Sequence, residues 1–238
     1  MTNEHPVRLV AITGGSGAGK TWLADRLHRL LGRRAGRLSQ DSFYRDCSHL
    51  PPAARAGLNF DHPDQLDWEH FAATLQALRQ GRPCELPVYD FGTHRRLPAR
   101  GVFQPRPLLI VDGLWLLHRP EIRRHFELSL FLHCPEDERL RRRIARDTVE
   151  RDRTEAAVLA QFHETVAPMH RQFVSPQAAH ADLLVHHPCR ESEILQLQER
   201  LSRLVPLEAG LRERLMALFR PASPSLAGPA GAALFPAS

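Results

Sequence analysis

Lysine is almost missing from this 238-residue chain: of its 32 lysine and arginine residues, only Lys20 is lysine. A coding preference for arginine accounts for the others and leaves one ammonium group to be explained. Cysteine is scarce as well. Cys47, Cys84, Cys134 and Cys189 form no C-x-x-C pair and have no zinc-ligand spacing, which excludes a zinc module and leaves reduced thiols. No apolar run approaches the ~20 residues of a membrane span, and the opening MTNEHPVRLVAITGG is not a signal peptide, so a cytoplasmic protein without membrane association is expected. No internal repeat is visible. The formal net charge of +5 is modest and suits a small polyanionic substrate. No RNA- or DNA-binding motif accompanies the arginines and acids are interspersed among them, so no nucleic-acid partner is expected.

The single lysine stands in Gly14-Gly15-Ser16-Gly17-Ala18-Gly19-Lys20-Thr21, which fits the phosphate-loop pattern G-x-x-x-x-G-K-[ST]. Backbone amides of such a loop and of the helix after it form an anion nest. Lys20 adds charge toward the nucleotide phosphates, and the Thr21 hydroxyl is placed for Mg²⁺. A compact ammonium on a flexible stem reaches through a tight loop where a planar guanidinium cannot substitute freely.

The flanking sequence supplies the context the loop requires. Residues 8–13 (RLVAIT) read as a strand, and WLADRLHRLL has helical periodicity. Further short apolar runs at 108–111, 128–132 and 183–185 read as buried parallel strands. Helices are expected over 68–79 with Asp67 as N-cap, over 136–151 with Pro135 at its start and three acids in its first turn, over 155–173 with a disturbance at Pro168, and over 191–204 and 208–219. This alternation predicts an α/β fold, a doubly wound parallel sheet flanked by helices, in a single domain of residues 1–220. Residues 221–238, uncharged and rich in Pro, Ala, Gly and Ser, read as a disordered tail.

Two aspartates complete the residue-level reading. Asp112 ends the run LLIV, at the carboxyl edge of a parallel sheet, where an acid can hold Mg²⁺; an Asp before Gly113 also serves as a simple turn cap. Asp41 follows Leu38-Ser39-Gln40, a second strand end. A carboxylate there can accept or orient a hydroxyl proton for phosphoryl transfer and can contribute to Mg²⁺ binding, and it can equally open a turn as an N-cap.

The ordered segments GGSGAGKT, QDSFYRD, LNFDHPDQLD, PVYDFGTHRR, VDGL, RRRIARDTVERDR, QFHETVAPMHRQF and HADLLV together resemble the uridine kinase (uridine–cytidine kinase) family, from residue 14 to about 185. The resemblance implies a P-loop kinase fold with an arginine-bearing lid at about 136–155 and a small substrate-binding β insertion within a nucleoside-binding segment at about 59–100. It implies ATP- or GTP-dependent, Mg²⁺-requiring phosphorylation of the ribose 5′-hydroxyl of uridine or cytidine, and a homo-oligomer, often a tetramer. It also implies that Asp41 is the catalytic base and that Tyr44 lines the nucleoside pocket. On the same grounds Asp61 accepts from ribose hydroxyls, Tyr89, Phe91 and His94 hold the pyrimidine, and Arg143, Arg153 and Gln161 serve the sugar end. Arg146 and Arg151 are then lid arginines for the triphosphate.

Arg139, Arg142, Arg143 and Arg146 fall within roughly 100° of arc on an ideal helix. Without the resemblance they read as a solvated face with Glu138–Arg142 and Asp147–Arg151 pairs, and for Arg139 and Arg142 that remains the expectation. His186-His187, Met169 and Phe173 read as structural. Three departures from the family pattern stand out: Asp112 where Glu is usual, shorter by roughly 1.5 Å; Asp152 in place of a glycine; and His186-His187-Pro188-Cys189 where a glycine-rich segment is usual. Related readings are a kinase of the same scaffold acting on ribulose 5-phosphate or pantothenate, and a nucleotide-binding regulatory protein with little turnover.

Overall fold

The structure, a computed structural model, describes residues 6–51, 54–55, 57–98, 101–151 and 153–205. Asp152, the expected helix at 208–219 and the expected tail at 221–238 lie outside the described residues.

Five strands form one parallel sheet: β1 (Arg8–Gly14), β2 (Ala35–Ser39), β7 (Leu108–Gly113), β8 (Leu128–His133) and β9 (Leu183–His186), in the order β2-β7-β1-β8-β9. Chain order reverses across β1, so the crevice beyond the carboxyl ends of the central strands is where an open α/β sheet receives its ligand. The apolar runs are near-continuous because both faces of the sheet are covered. On β1, Leu9 and Ala11 point into one core with Val111 and the helix α2 (Trp68–Arg79), while Val10 and Ile12 point into the other with Leu23 and Leu27 of α1 (Lys20–Leu31).

Register puts the chemistry at one edge. Asp112 pairs with Ile12 on one side and Ser39 on the other, so the ends of β1, β2 and β7 lie level. Asp67 caps α2 as the spacing predicts, its Oδ1 accepting from the His70 amide at 3.1 Å.

Between α2 and β7 the chain leaves the sheet. It forms two short antiparallel pairs, β3 (Cys84–Glu85) with β6 (Val102–Phe103) and β4 (Val88–Asp90) with β5 (Arg95–Leu97). Arg96 ties the second pair to the end of β2: it donates to the Phe43 and Tyr44 carbonyls at 3.2 and 2.8 Å and pairs with Asp67 at 3.0 Å.

After a single helical turn, α3 (Pro120–Arg123), and β8 comes α4 (Glu136–Glu150). The next helical run begins as α5 (Glu155–Gln161) and continues to Val174 with π-wound turns at Phe162–Val166 and His170–Val174. Pro168 sits between these wide turns, which accommodate a residue that has no N–H and whose ring crowds the preceding turn. The last described helix, α6 (Glu191–Arg203), packs against α1. No helix of the described residues is long and apolar enough to cross a membrane.

Candidate active site

The phosphate loop leaves β1 and enters α1 as expected. Gly17 and Gly19 have φ of 80° and 92°, a left-handed backbone that glycine adopts at little cost. A Cβ on Gly17 would strike the Arg139 carbonyl. Ser16, Gly17, Gly19, Lys20 and Thr21 line a cavity of about 520 Å³. Gly14, Gly15 and Ala18 are buried and do not line it. Lys20 Nζ donates to the Gly15 carbonyl at 2.9 Å. Burial draws its pKa down to about 8, against the pull of Asp41 and Asp112, which favour the charged form.

Thr21 Oγ1 donates to Asp112 Oδ2 at 2.9 Å, so the hydroxyl and carboxylate expected to share a metal stand together beside Lys20. Both are hard oxygen donors. Among the described residues no group of three or more His, Cys, Asp or Glu gathers elsewhere to hold a metal. A two-oxygen site that leaves most positions to phosphate and water fits Mg²⁺, which gives up its hydration reluctantly. The other Asp112 oxygen accepts from Arg37 Nη2 at 3.3 Å, and Arg37 also pairs with Asp25 of α1. Nothing in the sequence signalled this arginine behind the short carboxylate.

Asp41 lies in a 3₁₀ turn, Gln40–Phe43, directly after β2. Ser39 caps that turn through its hydroxyl, so Asp41 is not needed as the cap, and its side chain lines the cavity. Burial raises its pKa, and Lys20 opposes the shift.

The far wall of the same cavity is aromatic. Tyr44, Phe60, Tyr89, Phe91 and His94 line it. Tyr44 and Tyr89 lie 5.4 Å apart between ring centroids, and Tyr89 and Phe91 5.2 Å. His94 sits in the β4–β5 turn at φ 54°, the one described non-glycine residue with positive φ. Asp90 builds that turn, its carboxylate accepting from the Gly92 amide at 2.9 Å and from the Thr93 hydroxyl. Burial lowers the His94 pKa, as do Arg153 and Arg151, which keeps the imidazole neutral. The Tyr89 hydroxyl and His94 Nδ1 are buried without a hydrogen-bond partner among the described residues. Phe60 was not singled out from the sequence; its place beside Asp61 in NFDHPD was the available signal.

Asp61 lines the same cavity next to Phe60. Burial raises its pKa, and Arg143 leads the arginines that oppose the shift. Arg143, on α4, lies 3.9 Å from Asp61 and donates to Ser16 Oγ and to Gln161 Oε1, each at 2.9 Å. Gln161 also accepts from Arg153 at 2.6 Å. Arg146 and Arg151 line the cavity, and Arg151 stands over the Phe91 ring at 5.5 Å from its centroid.

Three of these arginines share one anchor: Asp147 makes the expected pair with Arg151 and also holds Arg143 and Arg146. Asp147 is fully buried and lies 2.7 Å from Arg146 and 3.5 Å from both Arg143 and Arg151. Burial works against its charge, yet Arg146, Arg151 and Arg143 hold its pKa below the ordinary carboxylate value.

Two expectations are corrected. Arg139 is not a solvated residue: it is 2% exposed, runs beneath the loop and lies 5.7 Å from the Phe162 ring centroid. Its Nη1 and the Nδ1 of His170 both crowd the space where a side chain on Gly15 would stand. Burial, then Arg139 and Lys20, lower the His170 pKa to about 4, so it is a neutral support. Arg142 keeps the expected pair with Glu138 at 2.6 Å but is half-buried and lines the cavity. His187 is structural as expected, packing beside Gly19 and edge-on to Trp22 with 6.2 Å between centroids. Phe173 packs against the core as expected.

A family model described as Phosphoribulokinase / Uridine kinase family matches residues 9–192. Among curated proteins, a uridine kinase of Chloroflexus aurantiacus is 40% identical over 183 residues, 76% of this chain and 87% of that protein. A uridine kinase of Deinococcus deserti is 37% identical over 188 residues, 79% and 91% of the two chains. Among solved structures, a putative fructose transport system kinase from Silicibacter sp. TM1040 superposes with a TM-score of 0.64 at 22% identity, covering 77% of this chain and 92% of that one. Phosphoribulokinase from Rhodobacter spheroides gives 0.54 at 15% identity, covering 77% and 70%. At these identities the structural likeness speaks to the fold alone. The sequence matches reach further, across loop, aromatic wall and α4 alike, and by them the chain belongs to the phosphoribulokinase/uridine kinase family.

Proposed function

We propose that this protein is a nucleoside kinase that transfers the γ-phosphoryl group of ATP or GTP to the ribose 5′-hydroxyl of uridine or cytidine. The observation that carries the reading is one continuous cavity in which a phosphate loop faces an aromatic pocket across Asp41.

In this reading the loop amides, Lys20, Arg146 and Arg151 bind the triphosphate and offset the charge that spreads over the transferred group. Thr21 and Asp112, with Asp41 nearby, hold Mg²⁺, which neutralises phosphate charge when bound. Asp41 orients the 5′-hydroxyl and accepts its proton. Its burial suits that task, since a carboxylate raised toward neutrality is the better base. Asp61 accepts from the ribose hydroxyls, with Arg143, Arg153 and Gln161 completing the sugar end.

Tyr44, Tyr89 and Phe91 give a planar base its stacking surface. The unpartnered Tyr89 hydroxyl and His94 Nδ1 are the polar atoms positioned to read its edge. A neutral imidazole can donate or accept, so it suits both the carbonyl edge of uracil and the amine edge of cytosine. A sugar phosphate fits this wall poorly, because the nearby Arg143 and Arg153 already serve Asp61, Asp147 and Gln161.

The test is incubation of the purified protein with Mg·ATP and uridine, cytidine, adenosine, ribulose 5-phosphate or pantothenate, with products identified by mass. UMP and CMP are expected. Product from neither pyrimidine nucleoside sinks the reading, and nucleotide binding without any product favours a regulatory protein.

A further inference from the structure

Arg143 touches both halves of the cavity. Its Nη1 donates to the Ser16 hydroxyl of the phosphate loop at 2.9 Å and lies 3.9 Å from Asp61 at the acceptor end. Its Nη2 donates to Gln161 at 2.9 Å, and its Nε faces Asp147 at 3.5 Å. The side chain is 5% exposed, so water has little access to replace any of these partners.

A guanidinium is a rigid planar fork. It cannot re-aim one nitrogen without moving the others. A rotation of the guanidinium at Asp61 is therefore felt at Ser16, and a shift of the loop is felt at Asp61. The loop pattern itself leaves residue 16 unspecified. A hydroxyl at that position, turned to the arginine of the acceptor pocket, has a role that phosphate binding does not require.

We propose that Arg143, acting through Ser16, is a positioning residue that couples the two substrates: a nucleoside in the acceptor pocket tightens nucleotide binding at the loop, and nucleotide tightens nucleoside binding by the same factor. The inference rests on the nucleoside kinase reading above and adds to it an energetic link between the subsites. The sign follows from order. Whichever ligand arrives first fixes the plane of the guanidinium, and the second meets a fork already in place, so less ordering opposes its binding. The equality of the two factors is a thermodynamic requirement.

Isothermal titration of uridine with and without a non-hydrolysable Mg·ATP analogue, and the reverse titration, reads the coupling directly. In the wild type each ligand is expected to lower the Kd of the other by one common factor of about 5 or more. Ser16→Ala is expected to reduce that factor below about 2, with the Kd of uridine alone changed less than about 2-fold. Ser16→Thr, which keeps the hydroxyl, is expected to retain the coupling. A Ser16→Ala protein with undiminished coupling overturns the proposal, as does a wild type that binds both ligands independently; in either case the kinase reading stands. A wild type that binds the analogue but neither uridine nor cytidine overturns both.

Discussion

His94 lies flat on Phe60, ring centroids 4.0 Å apart and planes 7° from parallel, in a left-handed backbone conformation that few residues with a Cβ adopt. The stack and the Asp90-built turn together hold an imidazole in the aromatic wall of the cavity. His94→Ala is expected to raise the KM for uridine about 10-fold, through loss of stacking and of a polar edge, with the KM for ATP unchanged. Steady-state kinetics with each substrate varied in turn checks this. His94→Val is expected to melt at a lower temperature than His94→Ala, because a β-branched residue is strained at positive φ.

Asp41→Asn keeps size and removes the proton acceptor. A fall in kcat of about 10² to 10⁴ is expected, with little change in the Kd of uridine measured by titration. Turnover near wild type would remove Asp41 as the base.

Lys20 titrates near pH 8 and not at its ordinary 10.5, because burial outweighs its acidic neighbours. Above about pH 8 the amine is neutral and no longer offsets phosphate charge. The kcat/KM for ATP is therefore expected to fall as pH rises through that value, and not as pH falls from 8 to 7. Because Lys20 is the only lysine, acylation followed by peptide mass reads its titration in the ligand-free protein: a half-maximal rate at pH 10 or above would refute the shift. Lys20→Arg carries charge at every pH, yet a reduction in kcat/KM of about 100-fold or more is expected, since the planar fork does not fit the loop.

Arg139 places a fixed cation beneath Gly15, outside the cavity itself. Arg139→Met is expected to raise the KM for ATP about 10-fold and leave the KM for uridine unchanged, with Arg139→Lys recovering part of the loss. Equal loss at both substrates, with a lowered melting temperature, would make Arg139 a packing residue only.

The parallel sheet was readable because buried parallel strands are written as unbroken apolar runs, and 108–111 and 128–132 each fall within an observed strand. The helix at 68–79 was readable from Asp67, since a cap is a local interaction. The acceptor wall was another matter. Tyr44 lies just after the turn that follows β2 and Tyr89 and His94 lie in the β4–β5 hairpin, and only a resemblance to known kinases placed them together; Phe60 it did not place. Arg37 and Arg96 carried no signal of their own, and Arg139 and Asp147 read only as members of a solvated helix face. What distinguishes Arg37 and Arg96 is a partner far away in the chain, Asp112 for the one and the Phe43 and Tyr44 carbonyls for the other, and what distinguishes Arg139 and Asp147 is burial. Charged residues on a helix are normally solvated, so the periodicity of α4 pointed its arginines outward when three of its charges face in.

That reversal has its own consequence. α4 buries Arg139, Arg143 and Asp147 and leaves Val149 83% exposed. Dissolved ions loosen charges that stand in water, but buried pairs are screened far less, so a helix seated this way is gripped almost alike in fresh water and in brine. α4 is a clasp that loosens when one of its own charges is removed, since the partners are then left buried and unpaired. Asp147→Asn should quicken amide exchange along its length before it touches β1 or β7, and a bound triphosphate, itself a polyanion, should tighten the same clasp.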